Sequence, residues 1–175
     1  MKLIINEHNL KNSDIEEYNT KVRAILINNK NHLLIVNYGG TYLLPGGSIN
    51  NNENIKDCLI RELEEETGAK YNIEELNYLC NLDYFQKNYP KRNSEIKNRL
   101  ITTHYYIGKY KDTIPDKINL TKNEKEGNLK LELLPINELE NIIINNNNTN
   151  PRNIYFQKEL VTILKFYKST YKNHV

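Results

Sequence analysis

The sequence predicts an α/β (α+β) fold in which helices cover a central sheet. Three observations carry the prediction: β-branched and leucine-rich stretches at Val22 to Ile27 and His32 to Tyr38, helical apolar spacing at Ile55, Leu59 and Leu63, and the same spacing at Phe156, Leu160, Ile163, Leu164 and Tyr167. The order that results, strand, strand, strand, helix, strands, helix, helix, is that of a layered sandwich. With 175 residues, 38% of them hydrophobic and 26% charged, the chain is the size of one domain spanning 1–175.

Taken in order, Lys2 to Ile5 reads as a short strand, and the rest of 1–20 as a polar lead-in with Ser13 or Asp14 available as a cap. Asn28-Asn29-Lys30-Asn31 separates the two apolar stretches as a hairpin turn. Gly39-Gly40 interrupts the second stretch, Thr41 to Leu44 is extended again, and Pro45-Gly46-Gly47 ends it sharply. Asn54 to Thr67 is helical, with Gly68 as its stop. Leu76 to Gln86 and Leu100 to Tyr110 read as two long strands joined by a basic segment, and Lys111 to Gly127 as a polar loop. Leu129 to Leu134 adds a strand, Pro135 to Ile144 a short helix with proline at its first position, and Asn145 to Asn148 a linker. In the closing helix, 150–170, Asn150 is the expected cap and Pro151 the start, and its apolar stripe should pack on the sheet.

Composition excludes more than it identifies. Twenty-four Lys and Arg against 22 Asp and Glu leave a net charge of +2, too little for a polyanion-coating protein, so a nucleic-acid partner is not expected. No apolar run approaches the roughly 18 residues of a membrane span, and a cytoplasmic protein is expected. Cys58 and Cys80 lie inside apolar segments, as buried reduced thiols do. Asparagine, about one residue in six, lowers the hydropathy without disturbing the apolar periodicity.

The chemistry concentrates between Gly47 and Ala69. Glu62, Glu65 and Glu66 stand at i, i+3 and i+4 on one helix face, where three carboxylates repel one another unless a cation lies among them. Oxygen ligands of this hardness suit Mg²⁺ or Mn²⁺, and Mg²⁺ held this way keeps positions open for water and substrate phosphates. Arg61 is placed to brace a carboxylate such as Glu53, and the Gly46-Gly47 pair permits close backbone approach, with the Gly46 carbonyl as a further oxygen ligand.

The pattern Gly47-x5-Glu53-x7-Arg61-Glu62-Leu63-x-Glu65-Glu66-x-Gly68, preceded by Leu44-Pro45-Gly46, resembles the Nudix box of the Nudix (MutT-like) hydrolases. Ala69, where the family usually has a larger aliphatic residue, is the soft departure. The resemblance implies an α/β/α sandwich around a mixed sheet, with the box as a loop-helix-loop at the catalytic edge. It implies Mg²⁺- or Mn²⁺-dependent hydrolysis of the diphosphate bond in a nucleoside diphosphate linked to another group. Glu66 and Glu65 would be the first metal ligands with Glu62 beside them, and Glu53 either a ligand or the orienting partner of Arg61. The general base would be one of the box carboxylates or a loop glutamate, Glu126 or its neighbour Glu124. Dimers are common in the family.

Substrate choice lies outside the box. The coenzyme A and NADH pyrophosphatase signatures are missing, and Tyr84 and Phe85 stand near where ADP-ribose hydrolases tend to carry proline, a tyrosine there resembling the dinucleoside polyphosphate hydrolases. From Tyr84 to Arg99, aromatic residues mix with Arg92, Arg99 and three lysines, a composition that suits either a nucleotide grip over the site or a solvated hairpin tip. His104 is either a base-contacting group or a hydrogen-bonded sheet residue. Two other readings stand beside hydrolysis of a small nucleotide: a catalytically weak module that senses a nucleotide or binds a partner, and an RNA 5′-pyrophosphohydrolase.

Overall fold

The structure, a computed structural model, describes residues 1–121, 125–126 and 128–171. Among them, seven strands form one mixed sheet: β1 (Lys2–Ile5), β2 (Glu17–Ile27), β3 (His32–Tyr38), β4 (Thr41–Leu43), β5 (Asn77–Pro90), β6 (Ile96–Lys109) and β7 (Lys130–Pro135). The spatial order is β1-β5-β6-β2-β3-β4, with β7 running antiparallel along β3. β1 pairs β5 and β2 pairs β6 in parallel, and the other neighbours are antiparallel.

Helix α1 (Ile55–Thr67) covers one face of the sheet, while α2 (Leu139–Ile144) and α3 (Asn153–Thr170) cover the other. Period-two alternation in β2 supplies both faces. Val22, Ala24 and Leu26 pack with Cys58, Leu59 and Leu63 of α1, whereas Ile25 packs with Ile35, Tyr105, Leu160 and Leu164 beneath α3. Both cysteines are buried and free. No helix among the described residues is long and apolar enough to cross a membrane.

The departures from the sequence reading fall at element ends. β2 begins at Glu17 because pairing with β6 extends its polar first half, in register from Glu17 opposite Arg99. β5 and β6 continue into the basic segment, with register shifts between Gln86 and Tyr89, leaving only 91–95 as a turn. Pro135 ends β7 rather than opening a helix, and α2 starts at Leu139. α3 starts at Asn153, not Pro151: Asn150 lends its side-chain oxygen to Arg152 N at 3.0 Å and its carbonyl to Asn153 N at 2.8 Å, capping the turn before the helix. The asparagine run is tied down rather than loose, since Asn148 Nδ2 donates to Thr41 Oγ1 at 3.0 Å and Asn146 Nδ2 to the Gly40 carbonyl.

Candidate active site

The loop before α1 is stitched to β2, with Val22 N donating to the Gly47 carbonyl at 3.0 Å, Ala24 N to that of Pro45 at 2.9 Å, and Ile49 N to that of Thr20 at 3.1 Å. This contact explains the glycines. Gly46 has φ +127° and lies so close to β2 that a Cβ would collide with the Val22 carbonyl, and a Cβ on Gly47 would fall on the Glu62 carboxylate. α1 then starts cleanly, Asn54 Oδ1 accepting from Lys56 N and Asp57 N at 3.0 Å each, and stops at Gly68 with φ +70°.

Arg61 is the hub of the acidic face. Its Nε and Nη2 grip Glu53 at 2.7 and 3.0 Å, and its Nη1 donates to Glu62 at 2.8 Å and to Glu65 at 3.0 Å. The Glu53 carboxyl is held down to about 2, first by Arg61, and the guanidinium is correspondingly raised. Burial, then the nearby Glu53 and Glu62, push the Cys58 thiol up to about 12, so it stays protonated. Glu66 is 5% exposed and accepts from Gly46 N at 2.8 Å, which brings the buried carboxylate and the glycine turn together.

The donor set consists of hard carboxylate oxygens presented from one helix face, with Glu62 pressed against a glycine, and its chemistry fits a divalent cation of the Mg²⁺ or Mn²⁺ kind. Among the described residues no three such side chains already converge into a cage, and the guanidinium of Arg61 lies among Glu53, Glu62 and Glu65 instead.

Glu66 opens into a cleft of about 340 Å³, floored by Lys21 and Arg23 of β2 and walled by Tyr38, Arg92, Arg152 and Phe156. Arg23 is anchored on the Leu44 carbonyl and near Glu159, 3.7 Å away. Lys21 makes no ion pair among the described residues, and its Nζ lies 6.0 Å from the Phe156 ring centroid. A wider groove of about 840 Å³ follows the outer side of α1, but there Lys56, Arg61 and Lys117 are offset by Asp57, Glu64, Glu65 and Glu74, a poorer match to a polyanion.

Of the candidate residues that the sequence singles out beyond the box, only Arg92 among the described residues lines this cleft, its Nη2 donating to the Tyr38 hydroxyl at 2.9 Å. Arg99 is buried, its guanidinium carbon 3.2 Å from the Tyr89 ring centroid and its Nε on Gln86 Oε1 at 2.5 Å, so it braces the β5–β6 hairpin. Tyr84 is buried beneath α3 in register with Ile5, and with Phe85 it lines a separate hollow beside Tyr155. His104 lies opposite Val22, which packs under α1, while its neighbours Thr103 and Tyr105 reach Glu159 on the other face. Burial holds its imidazole below the usual value, and it does not line the cleft. Glu126 is exposed on the segment between Thr121 and Leu129, both of which line the cleft; Glu124 lies outside the described residues.

Lys21, Arg23, Tyr38, Arg152 and Phe156 were not foreseen as site residues. Two cations at i and i+2 where β2 turns apolar were the available signal, since alternation puts both on the face opposite α1. Phe156 falls in the apolar stripe of the last helix, where the sequence marks it as a packing residue.

Several solved structures share the fold at low identity. A MutT protein from Methanosarcina mazei Go1 is 15% identical, with a TM-score of 0.53 over 88% of this chain and 96% of that one. The E. coli ORF135 protein is 16% identical, with a TM-score of 0.53 over 91% and 95%. The NUDIX domain of Shewanella oneidensis NrtR, complexed with ADP ribose, is 14% identical, with a TM-score of 0.52 over 89% and 94%. A search of curated proteins finds no match. The NUDIX domain family model matches residues 17–157, from the first residue of β2 into the first turns of α3 with the whole glutamate helix between, and the chain belongs to the Nudix family.

Proposed function

We propose that the protein hydrolyses the diphosphate bond of a nucleoside diphosphate linked to another group, and that it does so in the cleft beside Glu66. One observation carries this reading: a buried carboxylate of the box and the cations Lys21, Arg23, Arg92 and Arg152 line the same cavity, so groups suited to a metal and groups suited to phosphates face one ligand. Glu62, Glu65 and Glu66 would hold Mg²⁺ or Mn²⁺, which when bound supplies charge neutralisation at the phosphoryl oxygens.

The chain's own residues orient the rest. Lys21 and Arg23 draw the diphosphate onto the cleft floor, while Tyr38 and Phe156 offer aromatic faces for the base. Arg61 keeps Glu53 ionised and steadies Glu62 and Glu65. A water oxygen bonds to phosphorus, the bridging P–O bond breaks with its electron pair leaving on the departing phosphate, and the water proton passes to a carboxylate, for which Glu65, Glu66 and Glu126 are the candidates. ADP ribose, bound by the NrtR domain, belongs in the substrate panel on fold likeness alone.

The test is product release from nucleoside triphosphates, ADP-ribose, dinucleoside polyphosphates, nucleotide sugars and 5′-triphosphate RNA with Mg²⁺ or Mn²⁺, run beside Glu65→Gln and Glu126→Gln. We expect turnover of one class and at least a hundredfold fall in Glu65→Gln, roughly the worth of one catalytic proton-transfer or metal-holding group. Absence of turnover with metal-independent nucleotide binding intact in Glu65→Gln would overturn the enzyme reading in favour of a sensing module.

A further inference from the structure

The cleft does not end at its mouth. A second hollow of about 460 Å³ continues outward between the β5–β6 turn and the asparagine strap, and it shares Arg92, Asn150 and Arg152 with the inner cleft. The two make one trough, with Glu66 at the inner end and a pair of arginines where they join.

Those arginines are held but not neutralised. Arg92 donates to the Tyr38 hydroxyl at 2.9 Å, Arg152 Nε lies 3.3 Å from Asn150 Oδ1, and neither forms an ion pair among the described residues. Lys91, by contrast, is satisfied by Glu17 at 2.6 Å. Arg152 is also preset: Asn148 is fixed on Thr41, Asn150 N donates to Asn148 Oδ1 at 2.9 Å, and Arg152 N donates to Asn150 Oδ1 at 3.0 Å. Two guanidinium forks that both line the join of the two hollows, each with only neutral partners among the described residues, match a phosphate there.

We propose that Arg92 and Arg152 form an outer anion subsite that takes a phosphate lying beyond the diphosphate that is cut, which makes the favoured substrate a nucleoside polyphosphate with a continuing phosphate chain. The proposal rests on the hydrolase reading above and narrows it. A diphosphate joined to a sugar brings a hydroxyl-bearing ring to the arginines and leaves them without an anion. RNA fits less well, because among the described residues the trough offers aromatic faces only at Tyr38 and Phe156, a platform for one base, and its outer half adds Lys91, already paired with Glu17, beside Pro90, Pro151, Asn148 and Thr149.

Two measurements decide it. First, calorimetry of inorganic tripolyphosphate with metal-free protein needs no turnover: we expect binding that weakens about tenfold or more in Arg92→Gln and in Arg152→Gln, the range of a charge-assisted hydrogen bond, and less in Arg92→Lys. Equal affinity in parent and both glutamine variants overturns the subsite whatever the activity. Second, kcat/KM is compared across dinucleoside polyphosphates of rising phosphate number and ADP-ribose. We expect kcat/KM to rise with chain length and the loss in each glutamine variant to be about tenfold greater on the longest chain than on ADP-ribose. A uniform loss on all substrates overturns the proposal while leaving the hydrolase reading intact. Loss of all turnover with tripolyphosphate binding still dependent on Arg92 and Arg152 sinks the hydrolase reading and keeps the subsite. Binding of 5′-triphosphate RNA more than tenfold tighter than tripolyphosphate, with a steep salt dependence, overturns the small-molecule assignment.

Discussion

Lys21 occupies the cleft without an ion pair among the described residues, and burial, then the charge of Arg23, pull its pKa down from 10.5 to about 8; Arg99 adds to the fall, while Glu159 and Glu62 oppose it. Because the folded pKa lies below the unfolded one, the unfolded chain binds more protons between about 8 and 10.5, and Lys21 makes folding more favourable as pH rises through that window. Anion binding has the opposite sign, since a bound phosphate needs the ammonium form. Tripolyphosphate should therefore bind the parent about tenfold tighter than Lys21→Gln at pH 7, and the ratio should shrink toward one above pH 9. A ratio that stays constant with pH would remove Lys21 from the cleft's charge. Arg61 supports a second expectation: in Arg61→Ala, Glu53, Glu62 and Glu65 lose their shared cation, so the metal-free protein should lose about 1–3 kcal/mol in urea unfolding. Saturating Mg²⁺ should restore part of that loss, because it supplies charge at the same carboxylates, and an identical loss with and without Mg²⁺ would count against a metal there. The Arg61–Glu53 contact was legible from motif spacing, because the first two helix turns and the end of the preceding loop fix it. Lys21 was not, because its meaning depends on which face of β2 the distant α3 covers.

Elements explain why the two glycines are not equivalent. Gly46 has φ +127° and backbone of β2 against its α-carbon, so Gly46→Ala should destabilise by about 2–4 kcal/mol through strain and displacement of the stitched strand. At Gly47 the nearest atoms to an added methyl group are those of the Glu62 carboxylate, which it would push aside. Gly47→Ala should then keep its unfolding midpoint within about 1 kcal/mol of the parent while metal-dependent activity falls at least tenfold; equal damage to stability from both would show that the loop, not the carboxylate, is what Gly47 protects. The same scale shows where sequence periodicity stops informing. β3 and α1 were legible to within a residue because an asparagine turn and a capped, glycine-terminated helix mark their ends. The outer half of β5 and β6 was not, since Lys87 to Pro90 and Ile96 to Lys97 carry no alternation and are strand only because each side is the other's partner. Pro135 was ambiguous in principle: it suits a helix start or the last position of an edge strand, and pairing with His32 decides for the strand.

At the scale of the molecule, one buried carboxylate joins the layers to the cleft. Glu159 of α3 accepts from Tyr105 OH at 2.6 Å and Thr103 Oγ1 at 3.2 Å, and stands 3.7 Å from Arg23, which also holds the Leu44 carbonyl at the start of the box loop. Helix, sheet and box loop therefore meet at Arg23, and α3 also carries Phe156 of the cleft wall and begins directly after Arg152. Removing one member of such a buried set costs more than removing both, because the survivor keeps an uncompensated charge. Glu159→Ala should lose about 3 kcal/mol, and the pair Glu159→Leu with Arg23→Met should lose less than the sum of its single changes, as a double-mutant cycle in urea would report. Because the same contact seats the cleft wall, tripolyphosphate affinity should fall along with stability in Glu159→Ala, whereas Arg92→Gln should weaken binding and leave the unfolding midpoint close to that of the parent. If Glu159→Ala loses stability but binds tripolyphosphate like the parent, the helix is docked by its apolar stripe alone, and the cleft's cations are positioned by the sheet and the hairpin without it.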